Sequence, residues 1–189
     1  MYELDATLTH ALNSVAGRSQ LLNVMMIWVS AIGIPLLLLA VGGQWWRRAD
    51  QQHNRHVLLA ACFSFLLGLA LNQLILLFVH RMRPYDAGIT HLLIERSADP
   101  SFPSDHATAT AAIAAAFLLH GMRKLGLWFL AAALLVIVSR VYIGTHYVSD
   151  VLGGALTGIF AAMLVRALFR QGTRADRWII SRLEALLDL

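Results

Sequence analysis

Arg83-Pro84, then Pro103-Ser104-Asp105-His106, then Ser139-Arg140 followed by His146 and Asp150 are the residues of this chain whose types and spacing suit phosphate chemistry. A guanidinium fork matches phosphate oxygens, and an imidazole can attack, donate or accept a proton near neutral pH. His146 and Asp150 stand four apart, so on a helix they share a face. The carboxylate could then accept from one ring nitrogen and leave the other free to attack. Arg83 and Arg140 would clamp phosphate oxygens and stabilise a five-coordinate transition state. Ser104 Oγ and the first amides of the apolar run it opens add donors for an anion. His106 is placed to protonate a leaving oxygen and later to take a proton from water.

Each residue also has a bland explanation. An arginine at the end of an apolar run is usually an anchor, and Ser-Asp before such a run is usually a cap. A lone histidine at a membrane edge is usually structural, and His-Asp at i,i+4 is a common surface pair. All four explanations would have to hold together at one end of the apolar segments, so the catalytic reading is preferred. Asp105 could tune His106 or simply favour a helix start, and Arg81 is a possible accessory cation. His80 and Asp86 flank the first cluster and could line the site, whereas His91 reads as loop. His10, His53, His56 and His120 lie away from the clusters and read as solvated or interfacial.

The elements that must position these groups are membrane helices. The 189 residues are 58% hydrophobic and 14% charged, with mean hydropathy +0.64, far from soluble usage. Without linker, low-complexity stretch or repeat, residues 1–189 read as one domain. Five apolar segments are expected to cross a bilayer as helices: Leu21–Val41, Val57–Val79, Ser104–Leu119, Leu125–Tyr142 and Val151–Phe169. The third is short and rich in alanine, which favours close helix packing, and the first carries Gly33 and Pro35, a kink a bundle tolerates. Leu4, Leu8, Leu12 and Val15 recur at helical spacing, so the opening stretch reads as an interfacial helix rather than a signal peptide. The stretch from Arg174 to Leu189 reads as a second interfacial helix. The single Cys62, inside an apolar run, reads as a small core residue and leaves no disulfide to place the compartment.

Basic residues punctuate the segment ends rather than forming a nucleic-acid face. With five spans, one side holds Arg47, Arg48, Arg55, Arg123, Lys124, Arg166, Arg170, Arg174, Arg177 and Arg182 against Asp50, Asp176, Glu184 and Asp188. The other holds Arg18, Arg81, Arg83, Arg96 and Arg140 with the remaining acids. The positive-inside rule puts the first side in the cytoplasm, so every candidate site residue falls on the external face.

At these residues the chain resembles the type-2 phosphatidic acid phosphatase superfamily, whose motifs are Lys-x6-Arg-Pro, Pro-Ser-Gly-His and Ser-Arg-x5-His-x3-Asp. The third is complete from Ser139 to Asp150, the second carries Asp105 for Gly, and the first keeps Arg83-Pro84 with Leu76 at the Lys position. The likeness is firm over residues 71–162 and weak at Leu12 to Gly17. It implies an all-α membrane bundle in which His146 is the nucleophile and His106 the acid/base, with no metal or cofactor. Without the Lys, Arg81 or a phosphate held mainly by Arg83 and Arg140 would have to compensate. The Pro-Ser-Asp-His form without the Lys resembles the bacterial undecaprenyl-diphosphate phosphatase branch. That likeness implies a polyprenyl diphosphate substrate, recycling of the cell-wall lipid carrier, and an external site on the bacterial cytoplasmic (inner) membrane.

The expectation is therefore a metal-independent lipid phosphatase working through a phosphohistidine, with lipids rather than nucleic acid as partners. Phosphatidylglycerophosphate, phosphatidate or a diphosphorylated lipid A are rival substrates that apolar spans do not distinguish. A phosphate transporter would carry polar groups at mid-membrane, and a metal-dependent hydrolase would have two arginines repelling its cation. The apolar spans exclude a soluble haloperoxidase.

Overall fold

The computed structural model describes residues 2–187, so Asp188 and Leu189, the end of the expected C-terminal helix, lie outside the described residues. The described chain is all-helical: α1 (Tyr2–Asn13), α2 (Gln20–Gly43), a 3-10 turn (Gln44–Trp46), α3 (Gln51–Leu76), α4 (Asp105–Leu119), α5 (Arg123–Tyr142), α6 (Val148–Leu168) and α7 (Arg174–Leu186). Helices α2, α3, α5 and α6 are each long and apolar enough to cross a membrane. Their leucine, phenylalanine and tryptophan side chains, including Trp28, Leu39, Leu66, Leu134, Leu156 and Phe160, point outward. Such faces suit lipid rather than water. Helix α2 runs unbroken through Pro35.

The third expected span is the shortest. At 15 residues and 1.5 Å of rise per residue, α4 is about 22 Å long, short of a hydrocarbon core of about 30 Å. It is the central helix of the bundle, packed by α3, α5 and α6 and buried from Ala107 to Ala114. Small residues make that possible. A Cβ added to Gly158 would lie 2.8 Å from the amide nitrogen of Ala112, and one on Gly154 would lie 3.0 Å from Thr108 Oγ1. Backbones of α4 and α6 therefore meet where side chains would otherwise keep them apart.

The short α4 also sets the depth of what lies above it. Asn72, a turn before the end of α3, donates 2.7 Å to Asp105 at the start of α4. Helix α4 thus begins one turn below the end of α3, which stops at Leu76 rather than Val79. Residues 77–104 fold over the recess in turns, with Ser101 N on Arg81 O (2.8 Å) and Leu93 N on Ile143 O (3.1 Å).

At the opposite end, His53 Nε2 meets His120 O (3.1 Å) and Nδ1 meets Gln171 Oε1 (2.9 Å). His56 is 1% exposed and pairs with buried Asp176 of α7 at 2.9 Å, so it is a buried tie between α3 and α7 rather than a solvated histidine. Arg55 pairs with Glu184 across the same junction. Cys62 faces outward from α3 and is not a core residue. In α1 the leucines Leu4, Leu8 and Leu12 turn outward while Thr9 and Asn13 are buried, so the helix shows its polar face to the protein.

Candidate active site

A cleft of about 340 Å³ opens above the start of α4, and Arg83, Asp105, His106, Arg140 and His146 line it together with Gln73 and Leu76 of α3 and Glu95, Ser97 and Asp99 of the covering loop. Three chain segments distant in sequence thus place two guanidiniums and two imidazoles around one space. The amides of α4's first turn have no partner within the helix and face the same end, as an anion site requires.

Arg83 is fixed by its own loop contacts: Nε donates to Asp99 O at 2.8 Å and Nη1 to Thr145 O at 3.1 Å. Arg140, on the last turn of α5, donates from Nη1 to Ser30 Oγ at 2.6 Å. Among the described residues its buried Nε has no hydrogen-bond partner, and neither has the buried Oγ of Ser104. Ser104 caps α4 by position but not by its side chain, and its amide donates to Asp150 O at 3.1 Å. A buried donor left unmatched is costly, and Arg140 lines the cleft where a ligand oxygen could meet it, whereas Ser104 is not among the residues lining the cleft.

His146 lies in the turn between α5 and α6. Gly144 makes that turn with φ +84°, where an added side chain would strike the carbonyl of His91. Nδ1 of His146 contacts the carbonyl oxygen of Ser101 at 2.8 Å. A carbonyl only accepts, so Nδ1 carries the proton and Nε2 holds the free lone pair. Nε2 lies 3.5 Å from Nη2 of Arg140. Burial holds the imidazole below its ordinary pKa; Arg140 and Arg83 push the same way, and the opposing pull of Asp150 does not prevail. These effects favour the neutral ring that a nucleophile needs.

The expected direct bond from Asp150 to His146 is absent, because His146 precedes the helix instead of sharing its face. The closest carboxylate oxygen is 3.8 Å from Nδ1. Asp150, fully buried, accepts from Arg81 Nη1 (2.6 Å), Ser101 Oγ (2.5 Å) and the amide of Tyr147 (2.8 Å). It therefore holds Ser101 and the start of α6, and reaches the imidazole by its charge across 3.8 Å rather than by a hydrogen bond.

Arg81 does not replace the missing lysine. It lies outside the cleft, stacked over Tyr147 at 3.8 Å and forked between Asp5 and Asp150 at 2.6 Å each. Burial alone would lower its pKa, but the two carboxylates outweigh that and hold it above the ordinary value. Leu76 lines the cleft where the lysine was expected, so Arg83 and Arg140 are the guanidiniums there. Asp105 does line the cleft, oriented by Asn72. His80 and Asp86 do not reach the cleft, and Asp86 pairs with Arg96 at 3.2 Å. Asn72, Ser101, Ser30 and Asp5 escaped sequence reasoning. A polar residue inside an apolar run was the available signal for Asn72 and Ser30; Asp5 and Ser101 gave none.

Comparisons with known proteins bear on the family. The model of the PAP2 superfamily, the type-2 phosphatidic acid phosphatases, matches residues 57–174. Undecaprenyl-diphosphatase BcrC of Bacillus subtilis is 35% identical over 82% of this chain and 78% of its own. Putative undecaprenyl-diphosphatase YbjG of Escherichia coli is 30% identical over 72% of this chain and 67% of its own. The crystal structure of a transmembrane PAP2-type phosphatidylglycerolphosphate phosphatase from Bacillus subtilis superposes with TM-score 0.69 at 25% identity, over 92% of this chain and 88% of that one. An all-helical membrane bundle, three separated motifs meeting at one cleft, and a family match over most of the chain make this protein a member of the PAP2 superfamily.

Proposed function

We propose that this chain hydrolyses the terminal phosphate of undecaprenyl diphosphate, on the external face of a bacterial cytoplasmic membrane, through a phosphohistidine on His146. The observation that carries the reading is the Nε2 lone pair of His146, left free by the contact of Nδ1 with Ser101 O and set beside Arg140, in a cleft also lined by Arg83 and His106. Nε2 attacks the terminal phosphorus, a P–N bond forms, and the bridging P–O bond breaks to release undecaprenyl phosphate. Arg83 and Arg140 hold the equatorial oxygens as charge develops, with Ser104 Oγ and the α4 amides as further donors. His106 then takes a proton from water, which attacks phosphorus and frees Nε2 and inorganic phosphate. The two guanidiniums supply the positive charge that a metal would otherwise bring.

The diphosphate is favoured by the 35% identical relative named an undecaprenyl-diphosphatase and by Asp105 and Leu76, the departures noted in the motifs. The external placement rests on the distribution of basic residues among the loops. A second reading, phosphatidylglycerophosphate as substrate, draws on the superposable phosphatidylglycerolphosphate phosphatase from Bacillus subtilis. Purified protein assayed against undecaprenyl diphosphate, phosphatidylglycerophosphate, phosphatidate and lipid A decides between them. The expected result is the highest kcat/KM for the diphosphate; a higher value for any monophosphate lipid overturns the substrate assignment.

A further inference from the structure

Helix α1 grips the segment that carries His146 from both sides. Asn13 Nδ2 donates 2.7 Å to the carbonyl of Tyr142, the last residue of α5, and its Oδ1 accepts from His91 N at 2.7 Å. Thr9 Oγ1 accepts from Val148 N at 3.1 Å, and Asp5 Oδ1 from Ser149 N at 2.9 Å. Val148 and Ser149 open α6, so their amides have no partner within the helix. Asp5, Thr9 and Asn13 recur every fourth residue, one polar stripe laid along the α5–α6 turn. A helix remote in sequence therefore caps α6 where the helix itself cannot.

One member of that stripe reaches further. Asp5 Oδ2 lies 2.6 Å from Arg81 Nη2, whose Nη1 is 2.6 Å from Asp150 Oδ1. Asp150 Oδ2 in turn accepts from Ser101 Oγ, and the carbonyl of the same Ser101 receives Nδ1–H of His146. Arg81 is partly open to solvent, with 23% of its side chain exposed, whereas Asp150 is fully enclosed. Without Asp5, Arg81 would keep Asp150, Ser149 Oγ (2.6 Å) and the Tyr147 face but lose the second arm of its fork, loosening its hold on that enclosed charge.

We propose that Asp5 is a positioning residue for the phosphatase site, holding Arg81 in the fork that fixes Asp150 and, through Ser101, the ring of His146. The proposal rests on the reading of His146 as nucleophile. Thr9 contacts the same α6 turn without joining the charged chain, which separates positioning from plain stability.

The test uses the full chain in detergent micelles, on whichever lipid phosphate the unaltered protein turns over. Asp5→Asn should lower kcat roughly three- to tenfold with KM within about twofold, because a small misplacement of the reacting group costs rate and not affinity. Asp5→Glu should restore most of the rate, since Asp5 borders an open groove between α1 and α6. In an Asp150→Asn background the further loss from Asp5→Asn should shrink to less than about twofold, as expected of residues acting through one another. Thr9→Ala should lower the unfolding temperature while changing kcat less than about twofold. Independent, multiplying losses in the double variant overturn the proposal. A kcat that merely follows unfolding temperature in both Asp5→Asn and Thr9→Ala overturns it as well. An unaltered protein inactive on every lipid phosphate would overturn the phosphatase reading itself. An active one indifferent to Asp5→Asn overturns only the role of Asp5.

Discussion

Ser101 presents its backbone carbonyl to Nδ1 of His146 at 2.8 Å, while Asp150 stands 3.8 Å from the same nitrogen and binds the Ser101 hydroxyl. One serine thus orients the imidazole with its main chain and receives the carboxylate with its side chain. The ring's tautomer is set by a group that no substitution at residue 101 removes. Ser101→Ala should therefore keep Nδ1 protonated and lower kcat by less than about tenfold. Asp150→Ala, which also strips Arg81 and the Tyr147 amide of their acceptor, should cost roughly 100-fold, at the upper end for a group that orients a functional residue. Steady-state kinetics of the two variants checks the order; equal losses would show that the hydroxyl link matters more than the carbonyl.

Much of this arrangement was legible in the sequence, for reasons that also explain what was not. Arg83, Ser104, His106, Arg140 and His146 betray themselves because charged or polar groups at the ends of apolar runs are costly unless used. The helices follow from apolar length alone. What failed was partner assignment. The i,i+4 rule paired His146 with Asp150 only on the assumption that both lie on a helix, yet α6 starts at Val148. Arg81 was a free cation in the sequence because its partner Asp5 lies 76 residues away, a pairing that periodicity does not encode. His56, expected to be solvated or interfacial, is buried for the same reason, its acid Asp176 being remote in the chain.

The neutrality of buried His146 gives a pH signature. Its pKa lies below the ordinary imidazole value of about 6.5 when folded, while the unfolded chain titrates near that value. Below about 6.5 the unfolded chain binds a proton that the folded chain refuses, so this group's contribution to stability is lost as pH falls. His146→Gln lacks the term. The unfolding-temperature advantage of the unaltered protein over the variant should shrink between about pH 8 and about pH 5. An advantage that grows on acidification would mean a raised pKa and a protonated ring.

Close packing of α4 on α6 sets the floor of the cleft and can be tested apart from chemistry. Gly158→Ala would push a methyl against the backbone of Thr108 and Ala112, atoms that cannot turn aside. A loss of roughly 1–3 kcal/mol is expected for such overpacking. Gly42→Ala meets nothing within 4 Å and should be neutral or slightly stabilising. Thermal unfolding in detergent distinguishes them, and equal stability of the two variants would contradict the close approach of α4 and α6.

If Arg83 and Arg140 supply the positive charge, exhaustive EDTA should leave turnover within about twofold of its starting value. Vanadate should inhibit competitively by adopting five-coordinate geometry between them. Arg140→Gln should weaken vanadate at least tenfold, since a hydrogen bond between charged groups contributes roughly 1.5–3 kcal/mol. Activity lost in chelator and restored by a divalent ion would point to metal-assisted hydrolysis instead.

The two histidines can be separated by what leaves. From a lipid diphosphate the leaving group is a phosphate monoester whose last pKa is about 6, so it departs with little help. From a lipid monophosphate it is an alcohol, and protonation by His106 becomes essential to the first step. Hydrolysis of the phosphohistidine needs a base in both cases. His146→Ala should therefore form no phosphoenzyme at all. His106→Ala should form and accumulate it from undecaprenyl diphosphate while turnover falls roughly 10²–10⁴-fold. Rapid-quench labelling with terminally labelled substrate reads both outcomes. Label trapped on His146→Ala would refute the nucleophile, and an unlabelled His106→Ala would argue that the preferred substrate releases an alcohol.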